Sequence, residues 1–188
     1  MDSLEALNTR SSAKTYGEQA PSKEDLAKVL QAAVRAPDHG RLRPWRFMLI
    51  EGEQRRKFGE MLAASALRRV PGLSAGDQQR ERDKALRAPL IIVVVCRAVP
   101  GTKVPVIEQI LAAGAASQNI LLALHSLGYA AAWKTGEACY DPEMKKSLGL
   151  NADDHLVALI YTGGGAGATY APGKPASVQD AMLEFPAS

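Results

Sequence analysis

Two short segments of this 188-residue chain carry residue types whose spacing could do chemistry. In Arg10-Ser11-Ser12-Ala13-Lys14, two cations stand four residues apart with two hydroxyls between them. Such a set can converge on one phosphate through charge-assisted hydrogen bonds. Read alone, the same residues also suit a solvated surface turn. Arg35 and His39 flank Ala36-Pro37-Asp38, a stretch where proline interrupts regular structure and leaves backbone polar groups free to meet a ligand. By themselves these too are unremarkable.

Other chemistries find little support. His39 has no companions at metal-ligand spacing, since His125 and His155 are remote in sequence and no cysteine or carboxylate pattern completes a site. No Gly-x-Ser-x-Gly turn presents a nucleophile, and Cys96 lies in an apolar run where a thiolate would be disfavoured. Cys139 reads as a small loop residue. Gly163, Gly165 and Gly167 follow a strand-like run much as phosphate-binding glycines do. That motif must open a long helix, however, and here only a short tail with Pro172 and Pro175 remains. A flexible turn into a C-terminal arm is the expectation.

A length of 188 residues suits one domain with one sizeable core. Hydrophobic residues at 46% and charged residues at 23% exclude a disordered chain. A formal charge of +3 is too slight and too dispersed for a nucleic-acid surface, although it suits a small anionic ligand. Acids at Asp2 and Glu5 replace the basic start of a signal peptide. The apolar stretch from Ile107 to Leu127 is interrupted by Glu108, Gln109, Gln118, Asn119 and His125, which marks a core helix rather than a membrane span. Two cysteines need form no bridge, and a cytoplasmic location is expected.

The elements follow from periodicity and caps. Asp2 with Glu5, and Ser22 with Asp25, announce two early helices. The second buries a stripe of Leu26, Val29, Leu30, Ala33 and Val34 until Pro37 stops it. Strands are expected at Phe47 to Ile50, Leu90 to Cys96, Tyr129 to Trp133 and Leu156 to Thr162, with Leu90 to Cys96 central because it is apolar on both faces. Helices are expected at Arg55 to Leu67, at Pro105 to Leu127 and at about Asp141 to Leu148. The charged stretch Asp77 to Arg87 suits either a solvated helix or a mobile cover over a site. The long helix, apolar nearly all round, must be enclosed by other elements or by a second subunit. The tail, residues 165–188, has too few apolar residues to pack on its own body, but Val178, Met182, Leu183 and Phe185 could anchor it on another chain.

Together these pieces resemble the FMN-dependent nitroreductases, particularly the compact bacterial members. Arg10-Ser11-Ser12-Ala13-Lys14-Thr15-Tyr16 is similar to the family's opening Arg-x-Ser-x-Arg/Lys-x-Phe/Tyr. Ala36-Pro37-Asp38-His39 with Pro44-Trp45-Arg46-Phe47 resembles its Ala-Pro-Ser-Ser and Gln-Pro-Trp-x-Phe stretch. Ser117-Gln118-Asn119-Ile120-Leu121 falls in its long central helix, and Trp133-Lys134-Thr135 in the strand that follows. The departures are Arg41 and Arg43 in place of the usual amides, Asp38 and His39 in place of two serines, and a glycine series after Gly163.

The resemblance implies an α+β fold with a central mixed sheet flanked by helices, in an intertwined homodimer. Residues 1–164 would form the flavin-binding domain, and the tail would pack on the partner. By carry-over, Arg10, Ser11 and Ser12 hold FMN at its phosphate and ribityl end, and Lys14 adds a cation there or near the pyrimidine edge. Arg35 and His39 would serve the flavin of the other subunit, while Trp133, Lys134, Thr135 and Gly136 line the same cofactor. The implied activity is hydride transfer from NADH or NADPH through flavin N5 to nitroaromatics, quinones or similar small acceptors. No acid or base residue is required, because the cofactor carries the hydride. The alternatives are a flavoenzyme of the same fold acting on one metabolite, of the dehalogenase or flavin-cleaving type, and an FMN-binding protein without turnover.

Overall fold

The computed structural model describes residues 1–170 and 177–183. Helices α1 (Ser3–Thr9) and α2 (Lys23–Ala33) start where the side chains of Asp2 and Ser22 accept the amide hydrogens of Glu5 and Asp25. Each cap satisfies a donor that the first turn leaves without a partner. Then follow β1 (Trp45–Glu51), α3 (Gln54–Arg69), α4 (Ala75–Lys84), β2 (Leu90–Arg97) and α5 (Val106–Ser126). The chain continues through β3 (Tyr129–Lys134), α6 (Pro142–Ser147), β4 (Asp154–Gly164) and the short, exposed α7 (Val178–Ala181). The charged stretch after Ser74 is thus a helix, capped by that serine's side chain.

The strands form one sheet in the order β1-β2-β4-β3, and β2 is central and buried on both faces. The expected mixed sheet is corrected: every pair among the described strands is antiparallel. β2 and β3, linked through α5, do run parallel to each other, but β4 lies between them and pairs with both. Alternation along β2 divides the core. Leu90, Ile92, Val94 and Cys96 pack in the layer of α2 and α5, and Ile91, Val93 and Val95 in the layer of α3 and α6. Each such side chain contributes about 1.5 to 3 kcal/mol by leaving water.

Gln109 explains how a polar residue fits inside α5. Its amide donates to the carbonyls of Val99 and Val104 and accepts the Val99 amide hydrogen, fastening the loop between β2 and α5. α5 buries Ala113, Ala116, Ile120 and Leu124 on one face, but leaves Ile107 and Leu111 60% and 64% exposed on the other.

The glycine series also has a packing reason, beyond a flexible turn. A Cβ on Gly163 would stand 2.4 Å from the Gly17 carbonyl oxygen, and one on Gly165 would stand 2.2 Å from that of Gly128. The chain beyond then pairs with its own body as far as Tyr170, which bridges Ala13, while Lys14 donates its amide hydrogen to Thr169. Pro172, Pro175 and Phe185 lie outside the described residues. Val178, Met182 and Leu183 are exposed.

Candidate functional site

A cavity of about 430 Å³ opens on the α3 side of the sheet at its β3–β4 end. Its floor comes from strand alternation. Lys134 stands opposite Leu159 and Ala132 opposite Tyr161, so Lys134, Leu159 and Tyr161 share one face, and all three line the cavity. The turn after β3 adds Thr135, Gly136 and Glu137. Gly136 has φ 131°, a backbone conformation that a side chain would strain. Lys14 and Tyr16 enter from the segment pinned to β3 by the hydrogen bond from the Ala13 amide to the Ala131 carbonyl.

The remaining wall is helical: Leu62 and Arg69 of α3, Glu81 and Lys84 of α4, and Arg87 from the turn that follows. α3 and α4 meet closely at Gly59, where a Cβ would stand 2.7 Å from the Arg82 carbonyl oxygen. Buried Ala85 and Ala88 then hold the turn carrying Arg87 against the core. Glu81 is occupied by the Lys84 ammonium at 2.6 Å. Lys14, Arg69, Arg87 and Lys134 make no ion pair among the described residues and outnumber the one unpaired carboxylate of the lining, Glu137, so the cavity is positive on balance.

Tyr16 and Tyr161 stack obliquely in this cavity, ring centres 6.5 Å apart. Burial pushes each phenol up to about 12, and Arg87 pulls both the other way. They are neutral hydrogen-bond donors at physiological pH.

Of the expected site residues, Lys14, Lys134, Thr135 and Gly136 meet at this cavity. Arg10, at the end of α1, and the half-buried Ser11 and Ser12 precede the pinned segment. Their side chains make no hydrogen bond within the chain among the described residues, which leaves an uncommitted set of donors beside β3. Trp133 points the other way. Its ring reaches within 3.8 Å of a Cβ built on Gly114 of α5 and its indole donates to the Val157 carbonyl, so it braces the sheet from behind.

Arg35 and His39 lie in the layer of α2 and α5, across the sheet from the cavity of their own chain. The His39 ring meets the Glu108 carboxylate at 2.5 Å. Their loop is closed by Asp38, which accepts the Arg43 amide hydrogen, and it places Arg41 and Arg43 in the left-handed region at φ 54° and 49°. Sequence reasoning did not single out Tyr161, Arg69 or Arg87. Strand alternation points to Tyr161 once its face is known, but no local signal marks the two arginines.

The model of the nitroreductase family matches residues 7–164. The chain is 37% identical over 167 residues to YdjA of Escherichia coli K12, provisionally named an NAD(P)H nitroreductase, covering 87% of this chain and 88% of that one. A Haemophilus influenzae protein with a similar provisional name is 34% identical over 168 residues, covering 88% and 89%. Among solved structures, a nitroreductase-like family protein from Bacillus cereus superposes with a TM-score of 0.83 at 24% identity, over 98% of this chain and 96% of that one. A protein from Desulfovibrio desulfuricans, provisionally named a nitroreductase and solved with FMN, superposes with a TM-score of 0.76 at 26% identity, over 98% and 97%.

Proposed function

The chain belongs to the nitroreductase family, and from that premise we propose that it is an FMN-dependent NAD(P)H oxidoreductase that reduces nitroaromatics, quinones or similar small acceptors. The observation that carries this reading is the positive cavity where Lys14, Lys134, Thr135 and Gly136 converge, with the uncommitted Arg10, Ser11 and Ser12 on the segment leading to it. These residues fit FMN. Arginine and two hydroxyls suit a terminal phosphate, and the lysines suit the electron-rich pyrimidine edge. The relatives support the choice: those from Escherichia coli and Haemophilus influenzae are named for NAD(P)H, and the Desulfovibrio structure contains FMN.

FMN bound here supplies hydride acceptance from the nicotinamide and electron delivery to the acceptor. The chain's share is to bind and orient. Lys14 and Lys134 set the charge of the cavity, Gly136 lets the backbone come close, and Leu62 with Leu159 excludes water. We also infer a homodimer working in the cytoplasm. Arg35 and His39 face away from their own cavity, which suits service to a second subunit, and the exposed Ile107 and Leu111 suit burial in an interface.

The test is an absorbance spectrum of the purified protein before and after each nicotinamide, with mass spectrometry of the released cofactor. Bound FMN that bleaches with NADH or NADPH and recovers with a nitro compound or quinone is the expected result. FAD, no flavin after reconstitution, or a flavin that neither nicotinamide reduces would overturn the reading.

A further inference from the structure

We propose that the helical wall of the cavity selects electron acceptors that carry a carboxylate, with Arg87 and Arg69 receiving it. The inference rests on the preceding reading of the cavity as the place where acceptors are reduced.

The cavity holds more positive charge than flavin binding assigns. The resemblance gives the flavin phosphate and ribityl end to Arg10, Ser11 and Ser12, none of which lines the cavity, gives Lys14 to that end or to the pyrimidine edge, and has Lys134 line the same cofactor. Arg69 and Arg87 come from separate elements, the end of α3 and the turn after α4, and neither has a carboxylate partner among the described residues. The Lys84 ammonium is spent on Glu81. Two guanidinium groups are therefore left facing a cavity that also offers apolar surface.

That pairing describes a ligand with an aromatic body and an anionic end. Leu62, Leu159 and the rings of Tyr16 and Tyr161 provide a surface for the body. A guanidinium presents a planar fork of donors that matches a carboxylate with two parallel hydrogen bonds, which ammonium does not. The backbone that carries Arg87 is held in place, since Ala85 and Ala88 on either side of it are buried. For a nitro acceptor the turnover balances as ArNO₂ + NAD(P)H + H⁺ → ArNO + NAD(P)⁺ + H₂O, and the carboxylate takes no part in the electron transfer.

The experiment compares 4-nitrobenzoate with its neutral methyl ester on the FMN-loaded protein, in wild type, Arg87→Gln, Arg69→Gln, the double variant and Arg87→Lys. A single charge-assisted contact predicts a kcat/KM preference for the acid of about tenfold or more. That ratio should collapse in the double variant and recover in part with lysine. Calorimetric titration of the same proteins with benzoate and benzyl alcohol should follow the same order without turnover. Equal kcat/KM for acid and ester in wild type, or a ratio unmoved by the double substitution, would overturn the proposal. So would loss of FMN from the variants, which would give these cations to the flavin phosphate, or a change confined to the NADPH-to-NADH ratio. A protein that holds no FMN fails the preceding reading instead, and benzoate titration then still decides this one, with no preference over benzyl alcohol counting against it.

Discussion

At the scale of single residues, Arg41 sits where the backbone is unfavourable for it. A left-handed conformation brings Cβ towards the following carbonyl, at about 1 to 2 kcal/mol for most residues, and asparagine tolerates it better. Arg41, at φ 54°, should therefore be improved upon by Arg41→Asn, with unfolding free energy rising by about 0.5 kcal/mol or more in denaturant titration. Equal or lower stability would show that the arginine side chain offsets the strain. Tyr16 and Tyr161 give a pH prediction. Burial holds both phenols protonated to about pH 12, whereas unfolded chains release those protons near pH 10. Between these values the folded state binds more protons than the unfolded one, so their share of stability is intact below about pH 10 and falls as pH rises towards 12. Absorbance of tyrosinate near 295 nm should show two of the five tyrosines ionising late; five ordinary titrations would contradict the burial argument.

At the scale of elements, the α3–α4 contact decides where the helical wall of the cavity stands. Gly59→Ala places a methyl group against the backbone oxygen of Arg82, which no rotamer change can relieve. Alanine's better helix propensity gains about 1 kcal/mol, but forcing two backbones apart usually loses about 1 to 3 kcal/mol. A net loss is expected in thermal unfolding, together with faster amide exchange along α4. A variant as stable as wild type, with unchanged exchange, would mean that the helices separate freely.

At the scale of the molecule, the apolar outer face of α5 and the far-side position of Arg35 and His39 lead to the same expectation. Ile107→Asp with Leu111→Asp should dissociate the proposed dimer in sedimentation analysis, because obligate interfaces bury about 2,000 Å² or more and tolerate little buried charge. Arg10→Ala and Arg35→Ala should each spoil both flavin sites as homodimers. A purified mixed dimer carrying one of each should recover about half the FMN occupancy, since one site collects both lesions. Two equally impaired sites, or a flavin-loaded wild-type monomer, would place both residues on one chain's site.

Much of this was written locally in the chain. The caps at Asp2 and Ser22, the continuous apolar run of β2 and the length of α5 each depend on neighbours a few residues apart, so their elements could be read directly. Lys14 and Lys134 to Gly136, which meet at the cavity, were singled out through the resemblance of short segments to a known family. Contacts between distant residues were not. The insertion of β4 between β2 and β3 made the sheet antiparallel, and strand alternation then turned Trp133 to the α5 side and Tyr161 into the cavity. The close approach of backbones at Gly163 and Gly165, and the arrival of Arg69 and Arg87 from a helical hairpin, depend on pairing across the fold. Local sequence sets the period and ends of an element; which face meets which neighbour is decided only when the whole core packs at once.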